Sequence, residues 1–146
     1  MTDLERLAAG NRDKARRAID RVTASLVASL ADSQAFDPRI NYTPKALEPY
    51  DALADRFVRA VECCLRFFRS HELAEFAEQS DTPRNLLNRM EKLRLVGSAS
   101  LWLEMRNIRN RIVHDYLPEQ TAQMFDLIAK TYGPELLEAG KQIAGA

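Results

Sequence analysis

Hydrophobic residues recur three and four positions apart near the start of the chain, a spacing that puts them on one face of an α-helix. This first helix is expected from Thr2 or Asp3 to about Ala31. Its apolar stripe consists of Leu4, Leu7, Ala8, Ala15, Ala18, Ile19, Val22 and Leu26. Gly10 and Asn11 are a candidate break, which would leave the first two turns as a separate arm. The pattern predicts one long helix with a buried face.

Prolines and small polar residues then replace the helical pattern. Residues 32–49 contain Pro38, Pro44 and Pro49 together with Asp, Asn and Ser, which are typical of loops. We therefore predict a crossover loop between Asp32 and Pro49. Its length is near the upper limit for a compact domain, which favours a packed or functional segment over a tight turn.

A second helix is predicted from Pro49 to about Ala77, with a candidate bend at Ser70 and His71. Its wide apolar face consists of Leu53, Ala54, Phe57, Val61, Cys64, Leu65 and Phe68. Cys63 and Cys64 are adjacent, so their side chains diverge by about 100° on a helix and do not favour a mutual disulfide. We expect two buried thiols there, and a surface position for His71.

The remaining sequence predicts further helices and no strand. Thr82 and Pro83 have the pattern of a helix start, and Gly97 is the expected stop. Ser98 or Ser100 is expected to cap a fourth helix that ends at Pro118, before a fifth at residues 119–132 and a short terminal helix at residues 135–143, with a break at Gly133 and Pro134. We predict a single all-α domain over residues 1–146. Its expected architecture is an up-and-down bundle of four to six helices with a long crossover loop after the first.

Composition narrows the class of protein. Hydrophobic residues make up 46% of the 146-residue chain and charged residues 29%, as in ordinary globular domains. The 21 basic and 21 acidic residues cancel, so any contact with nucleic acid requires a local patch. No apolar run is long enough to span a membrane, and the first residues do not resemble a secretory signal. We therefore expect a cytoplasmic protein without a membrane segment.

Several kinds of catalytic site are not indicated. The sequence has no glycine-rich phosphate loop and no nucleophile elbow. Its only histidines, His71 and His114, have no second His or Cys at the spacing of metal ligands. We predict no metal and no cofactor.

The most informative stretch runs from Met105 to Pro118. A core-facing stripe consists of Leu101, Met105, Ile108, Ile112 and Tyr116. His114 lies away from that stripe and one turn after Asn110, with Arg106 and Asn107 on either side of this polar patch. Such a helix is expected to bury its apolar face in the core. Its polar face would then form a catalytic site or a surface for a partner.

An Arg, Asn and His set suits RNA cleavage without a metal. A neutral imidazole can remove the proton from a ribose 2′-hydroxyl as that oxygen attacks the adjacent phosphate. A guanidinium can stabilise the charge on the phosphoryl oxygens through paired hydrogen bonds. Arg109 and His114 are five residues apart, about 140° around one helix, so one helix does not direct both at one phosphate. A homodimer that pairs two copies of the helix would direct an arginine and a histidine at the same phosphate. Trp102 and Val113 are candidate apolar contacts in that interface.

The segment from Arg109 to Tyr116 resembles the R-x4-H-x-Y signature of the HEPN superfamily. Within it the chain is similar to the HepT-like toxins and the nucleotidyltransferase substrate-binding proteins. The resemblance covers residues 42–143. Outside the motif it rests on Arg56–Phe57, Asn85, Leu93 and Leu101–Trp102.

The resemblance implies a helical homodimer, with a small nucleotidyltransferase encoded nearby as its antitoxin. It implies that Arg109 and His114 are catalytic, with Asn110 supporting them, and that RNA is the substrate. We add Arg106, which borders the polar patch, as a second supporting residue. The resemblance also implies that Tyr116 is the residue to which the partner attaches AMP.

Two alternatives remain open from the sequence. The same surface would serve a non-catalytic subunit that dimerises, docks the nucleotidyltransferase and presents its substrate. A purely structural bundle is the third reading, and the polar cluster argues against it.

Overall fold

A computed structural model describes residues 1–111 and 118–146 of the chain. The predicted all-helical bundle is confirmed, since the described residues form helices and contain no strand. The elements in order are α1 (Asp3–Asp32), α2 (Pro44–Phe76), α3 (Pro83–Lys92), α4 (Ala99–Arg111), α5 (Pro118–Leu127), a π-helical segment (Ile128–Tyr132) and α6 (Gly133–Ala144). No helix in the described ranges is both long and apolar enough to cross a membrane.

Helix α1 begins with a capping box. The Thr2 side chain accepts a hydrogen bond from the Glu5 N–H, and the Glu5 carboxylate accepts one from the Thr2 N–H. The helix continues through Gly10, so the predicted break and separate arm are wrong. Leu4 and Leu7, which were expected in the core stripe, are 55% and 61% exposed. The buried face of α1 therefore begins only at Ala8.

The crossover loop is shorter than predicted, because α2 starts at Pro44 rather than after Pro49. Thr43 caps the helix by accepting a hydrogen bond from the Ala46 N–H, and Pro44 occupies the first turn, where no N–H partner is needed. Pro49 then lies inside the helix. It removes one backbone hydrogen bond near the helix start, and the packing of the next residue, Tyr50, favours keeping the helix continuous.

The crossover segment packs through an aromatic cluster of Phe36, Tyr42, Tyr50 and Phe125. Phe36 stacks on Tyr42 at 4.8 Å between ring centroids and meets Tyr50 edge-on at 5.2 Å. Phe125 from α5 contacts the Tyr50 ring at 5.2 Å. The Tyr50 hydroxyl donates to the backbone oxygen of Ala35, which anchors the loop to α2. The expectation of a packed segment is therefore met.

Helix α2 provides the centre of the core, packing along α1 and against α3, α4 and α6. It continues without interruption through Ser70 and His71. Cys63 and Cys64 are both free and buried, as expected. Burial raises the pKa of the Cys63 thiol, and the Cys64 thiol likewise, so both stay protonated near neutral pH.

The predicted break at Gly133 and Pro134 does not occur. The chain instead passes from α5 into α6 through the π-helical segment, in which the Gly133 N–H donates to the Ile128 oxygen five residues earlier. Pro134 begins α6, where its missing N–H costs no hydrogen bond. Gly133 also allows close packing, since a Cβ there would lie 2.7 Å from the Ile128 oxygen and 2.9 Å from Leu30 Cδ1.

Two glycine-to-alanine substitutions should have opposite effects on stability. Gly133→Ala forces the π-helical segment away from α1 and should lower the free energy of unfolding by about 1–3 kcal/mol. Gly10→Ala adds a methyl group where no atom lies within 4 Å, on an exposed helix. It should raise the free energy of unfolding by about 0.5–1 kcal/mol. Urea denaturation measures both, and equal effects would contradict the close packing of Gly133.

Candidate functional site

Helix α4 carries most of the predicted site residues, and its start is set by a short turn after α3. Ser98 is the cap, because its hydroxyl accepts a hydrogen bond from the Leu101 N–H. The Ala99 N–H donates to Glu91 Oε1 of α3 at 2.8 Å. The left-handed backbone conformation in this turn belongs to Arg94, with φ of 61°, and not to Gly97 as the expected stop implied. These bonds fix where α4 leaves the turn.

Glu135 of α6 explains the presence of Gly97. Its Oε1 accepts a hydrogen bond from the Gly97 N–H at 2.8 Å, and a Cβ at Gly97 would lie 3.1 Å from Oε2. The same Oε1 accepts a bond from the indole Nε1 of Trp102 at 2.9 Å. One carboxylate therefore ties the turn and the first helical turn of α4 to α6.

Trp102 is a core residue and not a dimer contact, so that expectation is wrong. Its side chain is fully buried and meets Phe68 of α2 edge-on at 5.2 Å. The core face of α4 runs through Trp102 and Met105, while Leu101 and Ile108, which were expected to lead it, are only partly buried. The helix is therefore rotated relative to the predicted stripe, because the indole N–H has its partner at Glu135.

Arg109 and Asn110 are joined directly. The Nε and Nη2 atoms of Arg109 donate to the Asn110 side-chain oxygen at 3.1 and 2.7 Å. Arg109 is half-buried and Asn110 is exposed. The amide therefore orients the guanidinium, and the remaining N–H groups of Arg109 can face an anion.

Arg106 lies one turn before Asn110 on the same helix. It is half-buried, and its Nε has no hydrogen-bond partner in the described part of the chain although the atom is buried. A guanidinium without a carboxylate partner retains its full positive charge for an external ligand.

Two arginines of α2 join this group, and sequence reasoning missed their role. Partial burial lowers the pKa of Arg69 below its usual value, and the positive charges of Arg106, Arg109 and Arg66 lower it further. Among the described residues, none of the four forms an ion pair with a carboxylate. We call Arg66, Arg69, Arg106 and Arg109 the arginine cluster.

The spacing of the two α2 arginines in the sequence could have indicated their half of the cluster. Arg66 and Arg69 are three residues apart, so they share a helix face next to the apolar stripe. That spacing alone does not identify the neighbouring helix, which is why the sequence did not connect them with Arg106 and Arg109.

His114 and Tyr116, the predicted base and the predicted AMP acceptor, lie outside the described residues, as does Val113. The structure therefore brings together Arg106, Arg109 and Asn110 of the predicted set. Within residues 1–111 and 118–146, no three His, Cys, Asp or Glu side chains are grouped so that they could hold a metal ion.

The second histidine is not a surface residue, contrary to the prediction. His71 is half-buried and stacks on Phe67 with 5.3 Å between ring centroids. Burial lowers its pKa, and the nearby Arg12 lowers it further. The neutral ring therefore belongs to the packing of α2 against α1.

A family model described as nucleotidyltransferase substrate binding protein like matches residues 11–144 of the chain. No curated protein and no solved structure matches it. The matched range contains the arginine cluster and the whole segment from Met105 to Pro118.

Proposed function

The chain belongs to the nucleotidyltransferase substrate binding protein like family, and we propose that it is a metal-independent endoribonuclease toxin. In this proposal it is a HepT-like member of the HEPN superfamily that acts in the cytoplasm. A small nucleotidyltransferase encoded nearby is its antitoxin. RNA is its substrate, and no metal or cofactor takes part.

The observation that supports this function best is the arginine cluster on a chain with no net charge. Three guanidiniums lie close enough to Arg69 to lower its pKa, and none of the four has a carboxylate partner in the described part of the chain. Like charges repel, so such a group does not serve stability. An external anion such as an RNA phosphate would relieve the repulsion.

The proposed reaction uses Arg109 and His114 in different roles. The neutral imidazole of His114 removes the 2′-hydroxyl proton, and the 2′-oxygen then bonds to the adjacent phosphorus. The bond from phosphorus to the 5′-oxygen breaks and that oxygen takes a proton from water, which leaves a 2′,3′-cyclic phosphate and a 5′-hydroxyl end. Arg109, oriented by Asn110, stabilises the charge on the non-bridging oxygens, and Arg106 supports it.

The site is proposed to form across a homodimer. Arg109 and His114 are about 140° apart around an ideal helix, so two copies of the motif must meet to supply both groups to one phosphate. Because Trp102 is buried in the core, it does not contribute to the interface. The interface is therefore proposed to form from the other side chains of the motif helix.

Purified protein should cleave single-stranded RNA in the presence of EDTA, and His114→Ala should abolish the activity. Loss of a general base lowers the rate by about 10²–10⁴-fold. His71→Ala is the matched control, because it removes the other histidine, which stacks on Phe67 and is near Arg12 of α1. Circular dichroism should show that both variants are folded. Cleavage that survives His114→Ala would contradict the assignment.

The second candidate is a non-catalytic subunit that docks a nucleotidyltransferase and presents its substrate. The family description is compatible with it, since that description names substrate binding. Both candidates would use the same surface. A protein that co-purifies with a small nucleotidyltransferase, but whose isolated dimer leaves RNA intact, would support the second candidate over the first.

We further propose that the partner enzyme controls the site through Tyr116. The tyrosine oxygen would attack the α-phosphorus of ATP, forming an O–P bond and releasing pyrophosphate. The attached AMP would place a bulky group and at least one negative charge two residues after His114. It would block the RNA phosphate both by volume and by binding a guanidinium.

Incubation with the partner, ATP and Mg²⁺ should increase the intact mass by about one AMP unit or a small multiple, because the tyrosine hydroxyl is the acceptor. RNA cleavage should decrease in proportion. Tyr116→Phe should remain unlabelled, whereas Tyr42→Phe should accept the label normally. A labelled Tyr116→Phe protein, or a labelled wild type with full activity, would contradict this control.

A further inference from the structure

We propose that Arg66 and Arg69 of α2 continue the phosphate-binding surface of α4, so that the RNA strand lies across both helices. This inference rests on the proposed ribonuclease function and adds a substrate path to it. The two arginines bind phosphates beyond the cleaved one and are not catalytic. Arg69 is the central member of the path.

A buried contact brings the two helices together at this point. Phe68 of α2 meets Trp102 of α4 edge-on, with ring centroids 5.2 Å apart. Arg69 directly follows Phe68, and Arg106 lies one turn after Trp102. The buried ring pair therefore holds the two helices together where Arg69 and Arg106 leave the backbone, and the charge of Arg106 is close enough to lower the pKa of Arg69.

The charges of these arginines are not neutralised within the described chain, unlike those of several other arginines. Arg12 pairs with Glu75, Arg59 with Asp55, and Arg89 with both Glu72 and Glu78. Arg66 has a glutamate four residues earlier, a spacing that favours an ion pair, yet none forms between them. The α2 half of the cluster therefore carries positive charge that no carboxylate of the described residues neutralises.

A groove of about 380 Å³ has Arg69 in its lining. The other polar residues that line it are Glu72, Gln79, Ser80, Asp81 and Thr82. The two carboxylates disfavour a phosphate in the groove, and the Ser80 and Thr82 hydroxyls already bond to Glu72 and to the Asn85 N–H. The Gln79 amide is the group that suits the edge of a base. The groove therefore extends the path as a place for a nucleotide base beside the phosphate on Arg69.

RNA explains this arrangement better than an acidic protein surface does. The cluster includes Arg109, which the proposed reaction places on a phosphate, and it extends from α4 to α2. A polyanion with repeated charges fits several unpaired guanidiniums on two neighbouring helices. An acidic protein partner would need the same surface to be free of RNA, and that is one outcome of the test.

The test compares substrates of two lengths. A dinucleotide has one phosphodiester and can occupy only the site of Arg109 and His114. A single-stranded RNA of about ten nucleotides reaches further across the surface, and this length is in the range that single-strand-binding proteins cover.

The test also compares variants of Arg69. Arg69→Gln removes the positive charge, and Arg69→Lys restores a charge without the planar guanidinium group. Arg59→Gln is the matched control, because it removes an exposed arginine of the same helix that is paired with Asp55.

Arg69→Gln should weaken binding of the longer RNA by about five- to tenfold, and its KM should increase while kcat stays unchanged. The slope of log affinity against log salt concentration should decrease by about 0.7 for the lost phosphate contact. Arg69→Lys should recover part of the affinity. Arg59→Gln should match the wild type, and dinucleotide cleavage should be equal in all four proteins.

Equal binding of the longer RNA by the wild type and Arg69→Gln would overturn the path while leaving the ribonuclease intact. A loss that is equally large for the dinucleotide would assign Arg69 to the fold or the reaction, and would also overturn it. Weaker binding of the nucleotidyltransferase with unchanged RNA binding would assign the surface to the protein partner. A wild-type protein that neither binds nor cleaves RNA would instead contradict the proposed function itself.

Discussion

The position of α4 depends on the buried side chain of Trp102. Its ring packs on Phe68 of α2, and its N–H donates to Glu135 of α6, so one residue is held by two other helices. Glu135 also accepts the Gly97 N–H, which fixes the turn before α4. A buried indole N–H needs a partner, and this requirement sets the rotation of the helix. The rotation in turn determines where Arg106 and Arg109 lie.

That rotation creates an electrostatic conflict. It places Arg106 and Arg109 beside Arg69, whose pKa is lowered by partial burial and by its positive neighbours. A bundle built only for stability would alternate the signs of such charges. Functional sites are where perturbed ionisation and unpaired charge are concentrated, so the conflict favours an anionic ligand at this surface. The Arg109–Asn110 hydrogen bonds show that part of the surface is already oriented.

Helix capping and apolar periodicity predicted the bundle, because local bonds such as the Thr82 cap are encoded by neighbouring residues. Long-range packing caused the errors. Pro49 lies inside α2 because an aromatic cluster distant in sequence holds the following turn, and Gly133 stays helical because Leu30 packs on it. Trp102 and Arg69 were misjudged or missed for the same reason. The sequence showed the helix faces but not which helix each one meets.

The most direct test of the shared site is whether two inactive variants recover activity when they are mixed. Arg109→Ala and His114→Ala proteins should each be inactive, and a mixture allowed to exchange subunits should recover about a quarter of wild-type cleavage. In a mixed dimer one composite site keeps both groups, since a two-fold axis pairs the arginine of one protomer with the histidine of the other. A mixture with confirmed subunit exchange that remains inactive would contradict the account that two copies of the motif helix build one site.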